Sequence, residues 1–302
     1  MVCEALRRRA FLTSEQLKLL EELEWRAARG LEGEMRADSF WEDLRLTEDY
    51  RLFHNLEVVR QGRFTHQIDT LFVCKKFVLI VELKHITGEI YYDEKTNQLW
   101  RMQSNERMAL GDPFSQVMRH EEWLQHFLWE LGIDLPILSA VVVTANRAII
   151  GRMPERFQMF KVEGLRMKLQ QWLQHYPSVL SGQMLSLLQE ELLVSHSPRR
   201  WQHPFGAVRL RKGALCICGL KMKYANGVFT CSCGLRLRDR FRVGLHDYRL
   251  LVSETITNRA FREFFEIKDV SMVSKILQRL QMPSEGTTKS KKYYIPEDIW
   301  CE

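Results

Sequence analysis

Phe77-Val78-Leu79-Ile80-Val81 is an unbroken run of large apolar residues that ends in Glu82-Leu83-Lys84. A short, branched, apolar run of this kind reads as a strand buried on both faces. Such a strand needs a layer of side chains above it and another below, which means a sheet flanked by helices. The flanking pattern agrees. Leu17, Leu20, Leu23 and Ala27 recur at helical spacing in residues 14–43, and Gly30 and Gly33 punctuate that stretch. Residues 64–73 form a second strand, joined to the apolar one by a short Cys74-Lys75-Lys76 turn. Residues 89–92 and 99–102 are expected strands around a turn at 93–97. A helix from Asp112-Pro113 to about Leu131, an apolar strand over 135–144, and helices over 164–175 and 182–194 follow. The expected class is α/β, a mixed sheet flanked by helices over residues 1–200, with a linker at 195–204.

The 302 residues, 45% apolar and 27% charged, suit a folded chain with a real core and exclude collagen-like or broadly disordered classes. No apolar run approaches the ~18–20 residues of a membrane span, and the N-terminus lacks a secretory h-region, so the expected location is cytoplasmic and no membrane partner is expected. Seven cysteines are an odd number for such a chain, which argues against a disulfide framework.

Gln67-Ile68-Asp69 precedes Glu82-Leu83-Lys84 by twelve intervening residues. Strand alternation puts Glu82 and Lys84 on one face, and pairing through the short turn lets Asp69 face the same place. Two close carboxylates are stable mainly around a cation, and Mg²⁺ or Mn²⁺ suits oxygen ligands, with the Leu83 carbonyl as a possible third. Lys84 would then assist an attacking water or offset phosphate charge, as metal-assisted phosphodiester hydrolysis requires. Acid–x–Lys on a strand is also a common solvated surface pair. Here it ends a strand too apolar for a surface position.

Gly33-Glu34, Gln67-Ile68-Asp69-Thr70-Leu71, Val81-Glu82-Leu83-Lys84, Gly88 and Asp112-Pro113-x-x-Gln116 together resemble the nuclease-related domain (NERD) of bacterial proteins, assigned to the PD-(D/E)xK nuclease-like superfamily. The resemblance implies a restriction-endonuclease-like core with Asp69 and Glu82 as metal ligands and Lys84 as catalytic lysine. It also implies a helical acid, Glu34, near the metal and a helical Gln116 facing the site. Asp112 stands where an asparagine is more usual, and either residue caps a helix.

Cys216-Ile217-Cys218-Gly219 and Cys231-Ser232-Cys233-Gly234 bracket a segment centred on Asn226-Gly227, a strong hairpin signal. Four thiolates so placed suit structural Zn²⁺. The segment resembles a zinc ribbon, with C-x-C where ribbons usually have C-x-x-C. Cys3, Cys74 and Cys301 are left over as free thiols.

Charge concentrates around these cysteines. Residues 205–249 hold ten Lys or Arg against two Asp, a local excess larger than the +6 of the whole chain. Arg236, Arg238, Arg240 and Arg242 alternate, so a strand there would carry a basic stripe fit for a phosphate backbone, or a charge-protected edge. Farther on, residues 257–265 and 270–280 read as two helices, followed by Lys289, Lys291 and Lys292 before Tyr293-Tyr294. This resembles a helix-turn-helix with a small wing, in which Ser271, Ser274, Lys275 and Gln278 would face a groove. A plain helical hairpin or dimerisation element has the same pattern.

The expected organisation is a nuclease-like domain over 1–200, a basic zinc-ribbon-like module over 205–249 and a helix-turn-helix-like module over 250–302. The expected activity is metal-dependent nucleic-acid hydrolysis, with DNA favoured over RNA. The alternatives are a non-catalytic DNA-binding regulator on a nuclease-like fold, or a ribbon-based protein adaptor.

Overall fold

The computed structural model describes residues 1–60, 64–198, 203–206, 208–287 and 290–300. The chain forms two compact units, Trp25–Trp201 and Met1–Glu24 with Gln202–Glu302. Two helices open it, α1 (Val2–Arg9) and α2 (Ser14–Glu42), the second shared between the units. Among the described residues no helix is long and apolar enough to cross a membrane.

The Trp25–Trp201 unit is a mixed α/β fold. Strands β1 (Tyr50–Arg60), β2 (Phe64–Cys74) and β3 (Val78–Lys84) form an antiparallel meander. After them come β4 (Gly88–Asp93), β5 (Gln98–Gln103), β6 (Glu106–Leu110) and helix α3 (Pro113–Glu130). The chain returns as β7 (Ile137–Val143), β8 (Ala148–Ile150) and β9 (Met159–Lys161), then helices α4 (Leu165–His175) and α5 (Gly182–Ser195). The main sheet has the order β1-β2-β3-β7-β9, parallel from β3 onward.

The apolar run is the centre of this sheet, with Val78 to Val81 all buried. Alternation divides it between two layers, as expected for an interior strand. Val78 and Ile80 pack with Trp123, Leu124 and Leu128 of α3 and Leu185, Leu188 and Leu192 of α5. Leu79 and Val81 pack on the other face with Ala37 and Trp41 of α2 and Leu165 and Leu169 of α4. A second sheet, β6-β5-β4-β8, covers Phe114 and Val117 of α3 and the end of β7. Part of the expected linker is tied down: His196 bridges Val58, and the Ser197 amide donates to the Glu57 carbonyl at 2.7 Å. Residues 199–202 lie outside the described set.

In the second unit, β10 (Lys223–Ala225), β11 (Val228–Thr230) and β12 (Arg236–Leu237) form a small sheet. Helix α6 (Phe241–Leu251), strand β13 (Thr255–Thr257), helices α7 (Asn258–Phe265) and α8 (Val270–Arg279), and strands β14 (Ser284–Glu285) and β15 (Lys292–Tyr294) complete it. The last sheet has the order β13-β15-β14. One core runs through all of this, from Cys216, Phe229 and Cys231 to Phe241, Phe261, Leu277 and Ile299. The segments read separately as 205–249 and 250–302 therefore share their interior.

Residues 1–24, expected within the domain over 1–200, pack instead in the second unit. Buried Arg9 meets buried Asp247 of α6 at 2.9 Å, a partner 238 positions away that no local pattern reveals. The basic stripe is a strand only at its start, where Arg236 lies in β12. The Asp239 carboxylate accepts from the amides of Phe241 and Arg242 at 2.9 and 3.4 Å and turns the chain into α6. Arg236 and Arg238 stay exposed, Arg242 lies in α6, and Arg240 Nε donates to the Leu215 carbonyl at 2.7 Å.

Candidate active site and metal centre

Strands β2 and β3 pair only from Thr70↔Val81 to Val73↔Val78. Beyond Val81, β3 continues against β7 alone, through Lys84↔Val143, while β2 continues against β1. The notch between the diverging strands is where Asp69 sits. Its Oδ2 accepts from the Leu83 amide at 2.8 Å, replacing the backbone acceptor that β2 no longer offers. On β1, Asn55 faces the same stretch in the left-handed conformation, at φ +51°.

Glu82 and Lys84 project into this notch, as their i, i+2 spacing requires. Glu82 is 1% exposed. Its Oε1 accepts from Lys84 Nζ at 2.5 Å, and its buried Oε2 has no hydrogen-bond partner. Lys84 Nζ also donates to Gln116 Oε1 at 3.4 Å, so α3 reaches the site from one side. From the other side α2 brings Glu34, whose Oε2 accepts from Asn55 Nδ2 at 3.4 Å. Gly33, Glu34, Asp69, Glu82, Leu83, Lys84 and Gln116 line one pocket of about 200 Å³, with His85 and Thr144. Every acid, lysine and glutamine expected at the site from its motif is thus brought together.

The electrostatics follow from this crowding. Burial, and then the Asp69 carboxylate, push Glu82 up to about 7 against the pull of Lys84. Burial also raises Asp69, with Glu34 adding repulsion and the Leu83 amide and Lys84 opposing. Lys84 compensates these two close carboxylates only in part, and the unpartnered Glu82 Oε2 beside Asp69 is a donor set that suits a divalent cation.

Other features of the site carried little sequence signal. A Cβ on Gly33 would lie 2.7 Å from Thr144 Oγ1 and 3.1 Å from the His85 Cβ, so only glycine lets α2 come this close to the strand ends. A glycine directly before an acid was the available hint. His120, one turn beyond Gln116 on α3, places its Nδ1 3.2 Å from His66 Nδ1. Nothing in the local sequence joins those two residues.

Residues 29–144 match the model of the nuclease-related domain, NERD. No curated protein and no solved structure matches the chain. The NERD region begins within α2, ends just after β7, and contains every residue of the notch that the motifs pointed to.

The second cluster lies in the other unit. Cys216, Cys218, Cys231 and Cys233 place their sulfurs within 4.8 Å of one another, with Cys216 and Cys233 at 3.7 Å and Cys218 and Cys231 at 3.6 Å. The two C-x-C-G turns are copies. The Cys216 and Cys231 amides donate to the Leu220 and Leu235 carbonyls at 2.8 and 2.9 Å, and the amides of Gly219 and Gly234 donate back to the cysteine carbonyls. Both glycines have positive φ, 84° and 90°. Four cysteines so close together suit a tetrahedral site of the zinc type, in spite of the short C-x-C bite. The Cys233 amide helps hold the Cys231 thiol down to about 7, while the neighbouring sulfurs push the Cys218 thiol up to about 12 against the Leu220 amide. Cys3 and Cys74 are free, and Cys301 lies outside the described residues.

The expected nucleic-acid contacts are spread over the second unit. Ser271, Lys275 and Gln278 are exposed on α8, opposite buried Val273, Ile276 and Leu277, while Ser274 is held by Asn258 Nδ2 at 3.0 Å. Lys291 stands over Tyr293, 5.1 Å from its ring centre, and Lys292 is exposed on β15. Lys289 lies outside the described residues.

Proposed function

We propose that this protein is a metal-dependent nuclease that hydrolyses phosphodiester bonds, with DNA the favoured substrate. The observation that carries the reading is the orphaned, buried Glu82 Oε2 beside Asp69, while the other oxygen of Glu82 accepts from Lys84 Nζ. Asp69 and Glu82, with the Leu83 carbonyl, would hold Mg²⁺ or Mn²⁺. Such an ion supplies Lewis-acid stabilisation of the phosphate and of the attacking water. Lys84, steadied by Glu82 and Gln116, would hold the water and offset charge on the phosphate. Glu34 would close the site from α2, and Gln116 would fix the position of the Lys84 ammonium. A structural Zn²⁺ on Cys216, Cys218, Cys231 and Cys233 would support the second unit.

The order α6-β13-α7-α8-β14-β15 supports a winged helix-turn-helix reading for the second unit, with α8 as the recognition helix. Lys275 on α8, Lys291 and Lys292 on the hairpin, and the arginines at 236, 238, 240 and 242 would then meet phosphates, Arg240 least because its Nε is already engaged, and by sequence Lys289 would join them. The test is Mn²⁺-dependent cleavage of DNA by the purified chain. Asp69→Ala and Lys84→Ala should each abolish cleavage while the chain still folds. Salt-sensitive DNA binding without any cleavage by the wild type would instead favour a non-catalytic regulator.

A further inference from the structure

Residues 208–212 run extended against the end of α1. Ala10 bridges Leu210, the Phe11 amide donates to the Arg209 carbonyl at 3.0 Å, and the Arg211 amide donates to the Arg9 carbonyl at 2.6 Å. Alternation along an extended segment sends Arg209 and Arg211 to the same side. Their guanidinium groups stand 5.2 and 5.3 Å from the centre of the Phe11 ring. Phe11 is 52% exposed, unusual for a phenylalanine in a well-packed segment. Among the described residues neither arginine has a carboxylate partner.

The platform beneath is fixed. Buried Arg9 donates to the Gly213 carbonyl at 2.5 Å and to the Arg211 carbonyl at 3.2 Å, and Asp247 holds it from the other side. Gly213 has φ +90°, and a Cβ there would lie 2.8 Å from Lys221 Cε, so glycine lets Lys221 cross the segment. Beside the platform opens a cavity of about 770 Å³, floored by buried Leu215, Tyr248 and Phe264. Its two carboxylates are already engaged, Glu266 by Lys221 and Glu263 by Arg259. The charge left at the rim is positive, from Arg209, Arg211 and Lys212.

An exposed ring flanked by guanidinium groups, over an apolar pit of small-ligand size, suits a flat base together with its phosphate. A duplex hides its base faces in its own stack, so it cannot use the ring. We propose that this is a binding site for single-stranded nucleic acid, with a base on the Phe11–arginine stack and phosphates on Arg209, Arg211 and Lys212. A free nucleotide offers the same chemistry. The proposal does not depend on the carboxylate site.

The test uses the full chain carrying Asp69→Asn, so that binding is read without turnover and irrespective of whether the wild type cleaves. Fluorescence anisotropy follows a labelled oligo-dT of about fifteen nucleotides, at low salt and without added divalent metal. Phe11→Ala should weaken binding ~10-fold, and Phe11→Tyr should retain it. The double change Arg209→Ala/Arg211→Ala should weaken binding by a similar factor and lower the salt slope by ~1.4. A duplex of equal length should compete poorly. Competition by dTMP as effective, per nucleotide, as that by the oligonucleotide would assign the same site to a free nucleotide. Unchanged oligo-dT binding in both the Phe11→Ala and the double-arginine chains, equal competition by duplex, or no binding at low salt would each overturn the proposal.

Discussion

His120 should make the Trp25–Trp201 unit sensitive to mild acid, and the size of the effect can be worked from its surroundings. It is 4% exposed, and its Nε2 is buried without a partner. Burial holds its pKa down to about 4, with His66 on β2, Arg119 on its own helix and Lys84 on β3 all adding to the depression. In the unfolded chain a histidine titrates near 6.5. Between those values the unfolded state carries a proton that the folded state refuses, so stability rises with pH across this window. The loss is absent above about pH 6.5 and reaches ~2 kcal/mol at pH 5 and ~3 kcal/mol below pH 4. Phenylalanine has a similar shape, no charge and no orphaned nitrogen. His120→Phe should therefore change stability by under ~1 kcal/mol at pH 7.5, yet exceed the wild type by ~2 kcal/mol more at pH 5 than at pH 7.5. Urea unfolding followed by tryptophan fluorescence reads this, because Trp123 lies beside His66. Taking the difference between the two chains at each pH removes the opposing contribution of Asp69 and Glu82, whose raised values favour the folded state in acid. A wild-type-minus-variant difference that is the same at both pH values would refute the reasoning.

Gly33→Ala should cost roughly 1–3 kcal/mol despite alanine's higher helix propensity, because its methyl meets Thr144 and His85, and it should slow any cleavage; thermal melting and the cleavage assay check it. Cys216→Ser should lower the bound zinc measured by atomic emission and loosen the core that Cys216 and Cys231 share with Phe241, seen as lost hydrogen-exchange protection in α6 to α8. Arg9→Met should destabilise the second unit by ~2–3 kcal/mol in a denaturant titration, since buried Asp247 then keeps only the Arg8 guanidinium, and adding Asp247→Leu should recover part of that.

Much of the first unit was readable from short-range pattern. The run from Phe77 to Val81 could only be an interior strand, and its position between two helical layers follows from having no polar face. The notch was readable because its key residues are strand neighbours. Glu82 and Lys84 share a face by alternation, and Asp69 reaches them through a tight turn. The cysteine turns announced themselves in the same way, through repeated spacing and glycines. What required the tertiary structure is what depends on partners distant in the chain. Arg9 has meaning only opposite Asp247, Gly33 only against Thr144, and His66 only beside His120. The arginines from 236 to 242 alternate like a strand, but the Asp239 carboxylate captures the amides that a strand would have paired, and a helix begins there instead. Periodicity records which way neighbouring side chains point, whereas the choice among distant partners is made by packing and by the need to satisfy buried charge. That need placed the first twenty-four residues in the unit formed by the end of the chain.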